Sequence, residues 1–313
     1  MKPAPFEYVV VRSINEAIEA LGRNGADSRI IAGGQSLMPS MNMRQTRPAY
    51  LVDINGITDL DYIHEISSGI AIGALTRHRA VERSEVIRSV CPILQEAVKH
   101  IAHFQIRNRG TIGGSLSLNA PGAEYGVIAR LLEAEMVISS PDGKRVVPAD
   151  QFFVGHFKVD LKNNEILTEI RFPSLPQGAG YSFLEVTRRH GHIPIISTAA
   201  MITLDGKDQI AEIRVILGNV SEHGVPYRVK AVDRLVGQKF NVDTIEGLAK
   251  EISDEVNPNE DADTEAAFVK QFSGMTGRRV SELASAEYRK EVAGTLSTRA
   301  LKIAFKRTKG GII

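Results

Sequence analysis

Two glycine pairs, each beside hydroxyl side chains, are the parts of this sequence best suited to binding chemistry. The first is AGGQS at residues 32–36 and the second is TIGGS at residues 111–115. Adjacent glycines permit positive φ and carry no side chains, so successive backbone N–H groups can converge on one anion. One such loop can hold a phosphate, and two loops from different parts of the chain can clamp a diphosphate. The pair therefore predicts a dinucleotide site.

The residues in and around the two loops narrow the kind of site. Neither loop is a G-x-G-x-x-G fingerprint and the chain has no G-x-x-x-x-G-K-[ST], so Rossmann and P-loop binding are unsupported. No lysine or arginine lies inside either loop, which favours neutralisation by amide dipoles over point charges. The alternative is that both loops are tight turns required by packing. From the residues alone, both interpretations stay open.

Short helices and strands are predicted around these loops. A capping box that starts at Ser13 begins a helix, and YLVDI at residues 50–54 is typical of a strand. Helical spacing extends over residues 79–102. A further helix is expected near Asn119, with Pro121 in its first turn, where the missing N–H costs nothing.

Strand-like segments dominate after residue 135 and are followed by helical ones. The expected strands cover residues 136–139, 166–172, 180–187, 195–204 and 210–217, and the expected helices cover residues 227–236, 244–256 and 285–305. PSLPQGAG at residues 173–180 is the best linker candidate, and the acidic stretch at residues 254–266 is expected to be an exposed loop. We therefore predict an α+β fold with domains at residues 1–175 and 178–305, the first divided into two lobes near residues 55–60.

Composition excludes several classes of protein. The chain has a formal net charge of +1, with 43% hydrophobic and 24% charged residues, which argues against a nucleic-acid partner. No apolar run approaches the length of a membrane span, and the N-terminus lacks the features of a signal peptide, so a cytoplasmic protein is expected. The single cysteine, Cys91, excludes an internal disulfide and a cysteine-ligated zinc or iron–sulfur site.

Five segments in register resemble one known family. They are IIAGGQSLMPSMNMRQTRPAYLVDIN (30–55), IRNRGTIGGSLSLNAPGAE (106–124), FFVGHFKVDLKNNEILTEIRFP (152–173), SFLEVTRRHGHIPIISTAA (182–200) and SAEYRKEVAGTLSTRAL (285–301). Together they resemble the FAD-binding subunit of the molybdenum hydroxylases, which include carbon monoxide dehydrogenase and xanthine dehydrogenase. The resemblance implies a two-lobed FAD-binding domain of the xanthine dehydrogenase/vanillyl-alcohol oxidase-like type. A small C-terminal domain of antiparallel strands and helices would follow it.

The resemblance also implies a set of FAD contacts on the matching residues. These are Ala32, Gly33, Gly34, Gln35, Ser36, Thr111, Ile112, Gly113, Gly114, Ser115, Asn119, Glu124 and Leu167. Glu124 would accept from a sugar or ribityl hydroxyl, and Leu167 would lie near the isoalloxazine unless it is only a strand core residue. Relatives often read HADP where this chain has Leu118-Asn119-Ala120-Pro121, so the polar contact of that histidine or aspartate is missing. Asn119 would supply this contact instead, or would only be an N-cap.

Two further departures from the family concern the flavin face. Some relatives have a lysine where this chain has Leu184, and Ile193 stands where a tyrosine can cover the flavin. The flavin face is therefore expected to be more open or covered from elsewhere. These departures leave the identity of the electron acceptor undecided.

The function implied by the resemblance is electron transfer through noncovalent FAD. Electrons would come from a molybdenum cofactor on a large subunit, through two [2Fe-2S] clusters on a small subunit, and leave to quinone, NAD or oxygen. Two copies of each subunit are expected. No catalytic acid or base and no metal site are predicted on this chain. The alternatives are a stand-alone flavin oxidoreductase of the broader fold and a non-enzymatic nucleotide-binding or scaffolding subunit.

Histidines and the lone cysteine offer other chemistry. His190 and His192 have the spacing of a strand metal pair, but no supporting ligands are visible, so a metal site is not favoured. His100 and His103 lie one helical turn apart, with a flavin-proximal role or a surface role both open. Cys91 is expected to be a buried small apolar residue and not a flavin tether.

Overall fold

A computed structural model describes residues 2–259 and 284–310. Its helices are α1 (Ile14–Asn24), α2 (Leu37–Asn42), α3 (His78–Arg83), α4 (Glu85–Val90), α5 (Pro92–Val98), α6 (Phe104–Arg107), α7 (Ile112–Leu118), α8 (Glu124–Leu131), α9 (Ala149–Phe152), α10 (Val242–Glu255) and α11 (Ala286–Thr308). Its strands are β1 (Glu7–Val10), β2 (Ser28–Ile31), β3 (Tyr50–Asp53), β4 (Ile63–Ile66), β5 (Gly69–Gly73), β6 (Glu135–Ser140), β7 (Gly143–Pro148), β8 (Phe153–Gly155), β9 (Lys158–Val159), β10 (Ile166–Pro173), β11 (Gly180–Val186), β12 (Ile196–Leu204), β13 (Ile210–Gly218) and β14 (Tyr227–Arg228). The α+β prediction is confirmed.

The first lobe is a small parallel sheet in the order β1-β3-β2, covered by α1. Ser13 caps α1 by accepting a hydrogen bond from the amide of Glu16 at 3.2 Å, as the capping box predicts. Because parallel strands end at one edge, the glycine loop after β2 and the Asp53–Asn55 turn after β3 lie side by side. This edge carries the first part of the candidate site.

The second lobe is an antiparallel sheet in the order β4-β5-β10-β6-β7, packed against the helices from α3 to α8. The helical spacing over residues 79–102 is confirmed, but the segment divides into three short helices. Ser84 caps α4 by accepting a hydrogen bond from the amide of Ile87 at 3.2 Å, and Pro92 is the first residue of α5. A residue that favours the start of a helix therefore stands at each break. The second glycine loop, residues 111–115, consists of Thr111, which caps α7, and the first turn of α7, at the edge of this lobe.

The helix expected near Asn119 is wrong in its start. Asn119 instead ends α7 with the left-handed values φ 44° and ψ 53°, and α8 begins at Glu124. Residues 112–118 form α7, and Thr111 is its N-cap. The sequence patterns did not predict this helix. The N-cap alternative for Asn119 is therefore also wrong.

The C-terminal part is an antiparallel sheet in the order β11-β12-β13-β14, which packs on α10 and α11 around its own apolar core. The helix expected over residues 227–236 is wrong. Tyr227 and Arg228 pair with Leu217 and Ile216 as strand β14, and only residues Asp233–Leu235 form a short 3-10 helix. Pairing with β13 outweighs the helical spacing of the apolar residues in this segment.

The acidic stretch at residues 254–266 begins inside α10, not in a loop. Glu255 accepts hydrogen bonds from the backbone amides of Lys230 and Ala231 at 2.7 and 2.9 Å. The part of this stretch from residue 260 onward lies outside the described residues. Every helix in the described ranges is too short or too polar to cross a membrane.

Candidate functional site

The first glycine loop, residues 32–36, directly follows β2. Gly34 has φ +71°, a conformation that side chains rarely adopt, and Gln35 Nε2 donates to the carbonyl of Gly33 at 2.9 Å. Within residues 2–259 and 284–310, no group accepts a hydrogen bond from the N–H groups of Gly33–Ser36. Consecutive amides without acceptors are suited to an anion.

The second glycine loop, residues 111–115, is held more tightly by the protein. Thr111 Oγ1 accepts from the amide of Gly114 at 3.1 Å. The amides of Ile112 and Gly113 donate to the carbonyls of Thr76 and Ala74 at 3.0 and 2.9 Å. The amide of Ser115 donates to the carbonyl of Thr111 at 3.0 Å, so the four amides of residues 112–115 already have acceptors. Among the described residues of the two loops, the row of amides without acceptors is therefore found in the first loop. Contacts of the second loop with a cofactor stay a prediction, for which exposed Gly114 offers the open face.

The first loop packs directly against the backbone of residues 109–110, just before the second loop. A Cβ atom at Gly33 would lie 2.8 Å from the Cα of Gly110, and closer still to the carbonyl oxygen of Arg109. A Cβ atom at Gly113 would lie 2.6 Å from the Cβ of Ala74. Packing therefore requires glycine at both positions, and at Gly33 that packing is what brings the loops together.

A cavity of about 400 Å³ lies beside the first loop, within the range of small-molecule sites. It is lined by Tyr8, Ile31, Ala32, Gly33, Gly34, Gln35, Met38, Pro39, Asn42, Asp53, Asn55 and Arg109. The apolar side chains can cover a flat ring, and the polar groups can bind hydroxyls and an anion.

Asp53 supplies a carboxylate at this cavity. Burial acts to raise its pKa, but hydrogen bonds from the Tyr8 hydroxyl and from the amide and side chain of Asn55 outweigh burial, so the pKa of Asp53 is lowered. The side chain is therefore ionised at neutral pH and can accept a hydrogen bond from a sugar hydroxyl.

Five polar residues at this site were missed by sequence reasoning: Tyr8, Asp53, Asn55, Arg77 and Arg109. Arg77 Nη1 donates to the carbonyl of Arg109, and Nη2 donates to Asn55 Oδ1, both at 2.7 Å. The sequence signal was present only for Asp53 and Asn55, which directly follow a strand that ends beside the glycine loop. Cations thus lie next to the loops, although none lies within them.

Asn119 and Leu167 have structural roles in the described chain. The Asn119 Nδ2 group is buried and donates to the carbonyls of Gly155 and Lys158 at 2.6 and 3.3 Å. Leu167 is 4% exposed and belongs to the core of the second lobe, which supports its alternative as a core residue. Their contacts with a cofactor stay predictions.

Glu124 is buried at the start of α8. Burial raises its pKa to about 8, the neighbouring Glu185 adds to the shift, and His100 opposes it. Glu124 is therefore largely protonated at neutral pH, so it can donate as well as accept a hydrogen bond. His100 Nδ1 lies 3.3 Å from Glu185 Oε1, which places His100 at the junction with the C-terminal sheet.

The surroundings of the remaining candidate residues indicate their roles. Ile193 is 59% exposed, whereas Leu184 packs against the C-terminal core. In the described ranges, no group of three or more His, Cys, Asp or Glu side chains could hold a metal ion, His190 and His192 included. Cys91 is fully buried and burial raises its pKa to about 12, which confirms it as a core residue.

Comparisons with known proteins agree with this architecture. A family model described as "FAD binding domain in molybdopterin dehydrogenase" matches residues 4–175, and one described as "CO dehydrogenase flavoprotein C-terminal domain" matches residues 181–282. The alpha subunit of the 6-hydroxypseudooxynicotine dehydrogenase complex of Paenarthrobacter nicotinovorans is 44% identical over 71% of this chain and 75% of its own length.

Carbon monoxide dehydrogenase medium chains are similar over nearly the whole length. That of Hydrogenophaga pseudoflava is 35% identical over 89% of this chain and 96% of its own. A solved carbon monoxide dehydrogenase structure from the same organism superposes with a TM-score of 0.87 at 33% identity, covering 98% of this chain and 99% of the other. The predicted family and fold are confirmed: the chain belongs to the FAD-binding subunits of the molybdenum hydroxylase family, flavoprotein components of oxidoreductase complexes.

Proposed function

We propose that the chain holds one FAD noncovalently, with the diphosphate where loop 32–36 meets loop 111–115, and passes electrons from partner subunits to an external acceptor. The observation that carries the proposal is the row of amides from Gly33 to Ser36, which find no acceptor among the described residues. Three of these four residues line the cavity. These amides and the absence of a side chain at Gly33 fit a diphosphate. Arg109, which lines the same cavity, adds a positive charge.

The chain's own residues would bind and orient the cofactor. Ionised Asp53 would accept a sugar hydroxyl, and the apolar wall of Ile31, Met38 and Pro39 would cover a ring. FAD, when bound, supplies the one- and two-electron chemistry. Contacts from the second loop and from Glu124, and the noncovalent mode, are parts of this proposal. Buried Cys91, whose pKa is raised, is unsuited to a covalent tether.

The partners belong to the same proposal. One cysteine cannot supply the four thiolates that an iron–sulfur cluster requires, so clusters would reside on another chain. We therefore place two [2Fe-2S] clusters on a small subunit and the molybdenum cofactor on a large one, with two copies of each subunit. Relatives named as medium chains and as a subunit of a dehydrogenase complex support this arrangement. Quinone, NAD and oxygen remain the candidate acceptors.

Metal and flavin analysis of the protein from its own cells tests this division of labour. The tagged chain should copurify with flavin, iron and molybdenum in constant proportion, and the same chain produced alone should carry flavin without either metal. Turnover of an organic substrate by the isolated chain would instead favour a stand-alone oxidoreductase. A complex that contains both metals but no flavin would contradict the proposal and favour a scaffolding subunit.

A further inference from the structure

Arg77 connects the backbones of the two glycine loops. One end of its guanidinium donates to the carbonyl of Arg109, just before the second loop, and the other donates to Asn55 Oδ1, both at 2.7 Å. Asn55 Nδ2 donates in turn to the carbonyl of Ala32 in the first loop at 2.8 Å. Two side chains therefore bridge the lobes from one loop to the other.

The backbone around Arg77 is itself fixed to the second loop. The amide of His78 donates to the carbonyl of Gly110, and the amide of Ile112 donates to the carbonyl of Thr76, both at 3.0 Å. The backbone of Arg77 thus belongs to the second lobe, and only its side chain reaches the first lobe. At the crossing, Asn55 is also held through Asp53 Oδ1, which accepts from Asn55 Nδ2 at 2.6 Å.

An arginine suits this position for a geometric reason. Its planar fork presents donors in two fixed directions, whereas a lysine ammonium has a single nitrogen at the end of a flexible stem. Arg77 is half-buried; burial and the neighbouring charge of Arg109 lower its pKa, and the carboxylates of Asp61 and Asp53 oppose that shift. Arg77 does not line the cavity, although Asn55 and Arg109 do. Its effect on a ligand would therefore pass through those two residues.

We propose that Arg77 is a positioning residue that fixes the separation of the two glycine loops, so that both can engage one diphosphate. The proposal rests on the proposed function. Without the bridge, the free amides of the first loop keep their own conformation but lose their fixed position relative to the second loop. We therefore expect removal of the bridge to weaken ligand binding. The effects of Arg77 and Asn55 on that affinity should depend on each other.

The test is a double-mutant cycle on FAD affinity, measured by calorimetry on the full chain stripped of cofactor. Arg77→Ala and Asn55→Ala should each weaken FAD binding by tenfold or more, and the double variant should be no weaker than the weaker single one. Added guanidinium ion, but not ammonium, should restore part of the affinity of Arg77→Ala. If Arg77→Ala does not fold, Arg77→Lys replaces it and should still lose affinity.

Two control variants separate positioning from charge. Arg88→Ala removes an exposed arginine of the same lobe, paired with Glu85, and should leave FAD affinity unchanged. Arg109→Gln keeps the carbonyl that accepts from Arg77 but removes a cavity cation, so it should weaken FAD binding while the bridge to Asn55 stays in place.

Each outcome decides one of the two proposals. If the wild-type chain binds FAD and Arg77→Ala binds it equally well, the positioning role is overturned and FAD binding stands. The same holds if the wild-type chain binds FAD and the effects of the Arg77 and Asn55 substitutions simply add. A wild-type chain that takes up no FAD overturns the proposed function and this inference together.

Discussion

Replacing Gly33 with alanine is the most direct test of the contact between the two loops. The new Cβ would lie 2.8 Å from the Cα of Gly110 and closer still to the Arg109 carbonyl oxygen, whereas ordinary contacts begin near 3.4 Å. The two backbones must therefore separate by more than about half an ångström. Arg109 cannot move freely, because its carbonyl accepts from Arg77 at 2.7 Å.

The expected cost follows from overpacking at a site that cannot relax. Inserting a methyl group into a packed region costs about 1–3 kcal/mol. In the free chain the two backbones can move apart and relieve this cost, but binding of FAD by both loops would bring them together again. The cost then appears in the binding free energy. Since about 1.4 kcal/mol is tenfold, affinity falls by roughly 5- to 150-fold. We expect the Gly33→Ala chain to remain folded and to bind FAD more weakly by an amount in this range.

Calorimetric titration of the stripped chain with FAD measures this effect, and circular dichroism checks the fold. The matched control is Gly22→Ala in α1 of the same lobe, where a Cβ would meet no atom within 4 Å. The control should bind FAD as the wild type does. A folded Gly33→Ala chain with wild-type affinity would show that close packing of Gly33 against residues 109–110 is not needed to hold the cofactor.

The remaining predictions concern stability. Gly247→Ala, in α10 where a Cβ would meet no atom within 4 Å, should raise the free energy of unfolding by about 0.5–1 kcal/mol in urea denaturation, and an unchanged midpoint would contradict this. The pKa of His100 is raised, chiefly by its hydrogen bond with Glu185, so its stabilisation is complete below the ordinary histidine pKa and lost as pH rises through the raised value. His100→Gln should remove that part of the pH dependence of unfolding, and an unaltered profile would argue against the contact. The pKa of Glu124 is raised from 4.5 to about 8, so wild-type stability should fall as pH rises between these values. Glu124→Gln should gain stability over the wild type across that interval, and a constant difference between the two would contradict the burial of an ionisable side chain.

Local features of the sequence were enough to place the first glycine loop and its surroundings. The Ser13 capping box, the strand before Ala32 and the strand that ends at Asp53 are encoded by short patterns, and parallel pairing brings their ends to one edge. That the two loops serve one site stays a prediction, although Gly33 packs against Arg109, just before the second loop.

What the sequence could not supply depends on distant segments. Arg77 reaches partners 22 and 32 residues away in the chain, so its bridge left no local pattern to find. The amides of Ile112 and Gly113 are occupied by carbonyls of residues 74–76, which no glycine motif reveals. The segment at residues 227–236 has helical spacing, but pairing of Tyr227 with Leu217 decides its structure.

The visible absorption spectrum of the purified chain, recorded before and after heat denaturation, is the best test of whether the chain holds noncovalent FAD. We predict flavin absorbance in the native protein and release of all the colour into the supernatant as FAD. Colour that stays on the denatured chain would contradict the noncovalent site. A colourless chain that takes up no added FAD would contradict the diphosphate site itself and leave the two glycine loops as turns required by packing.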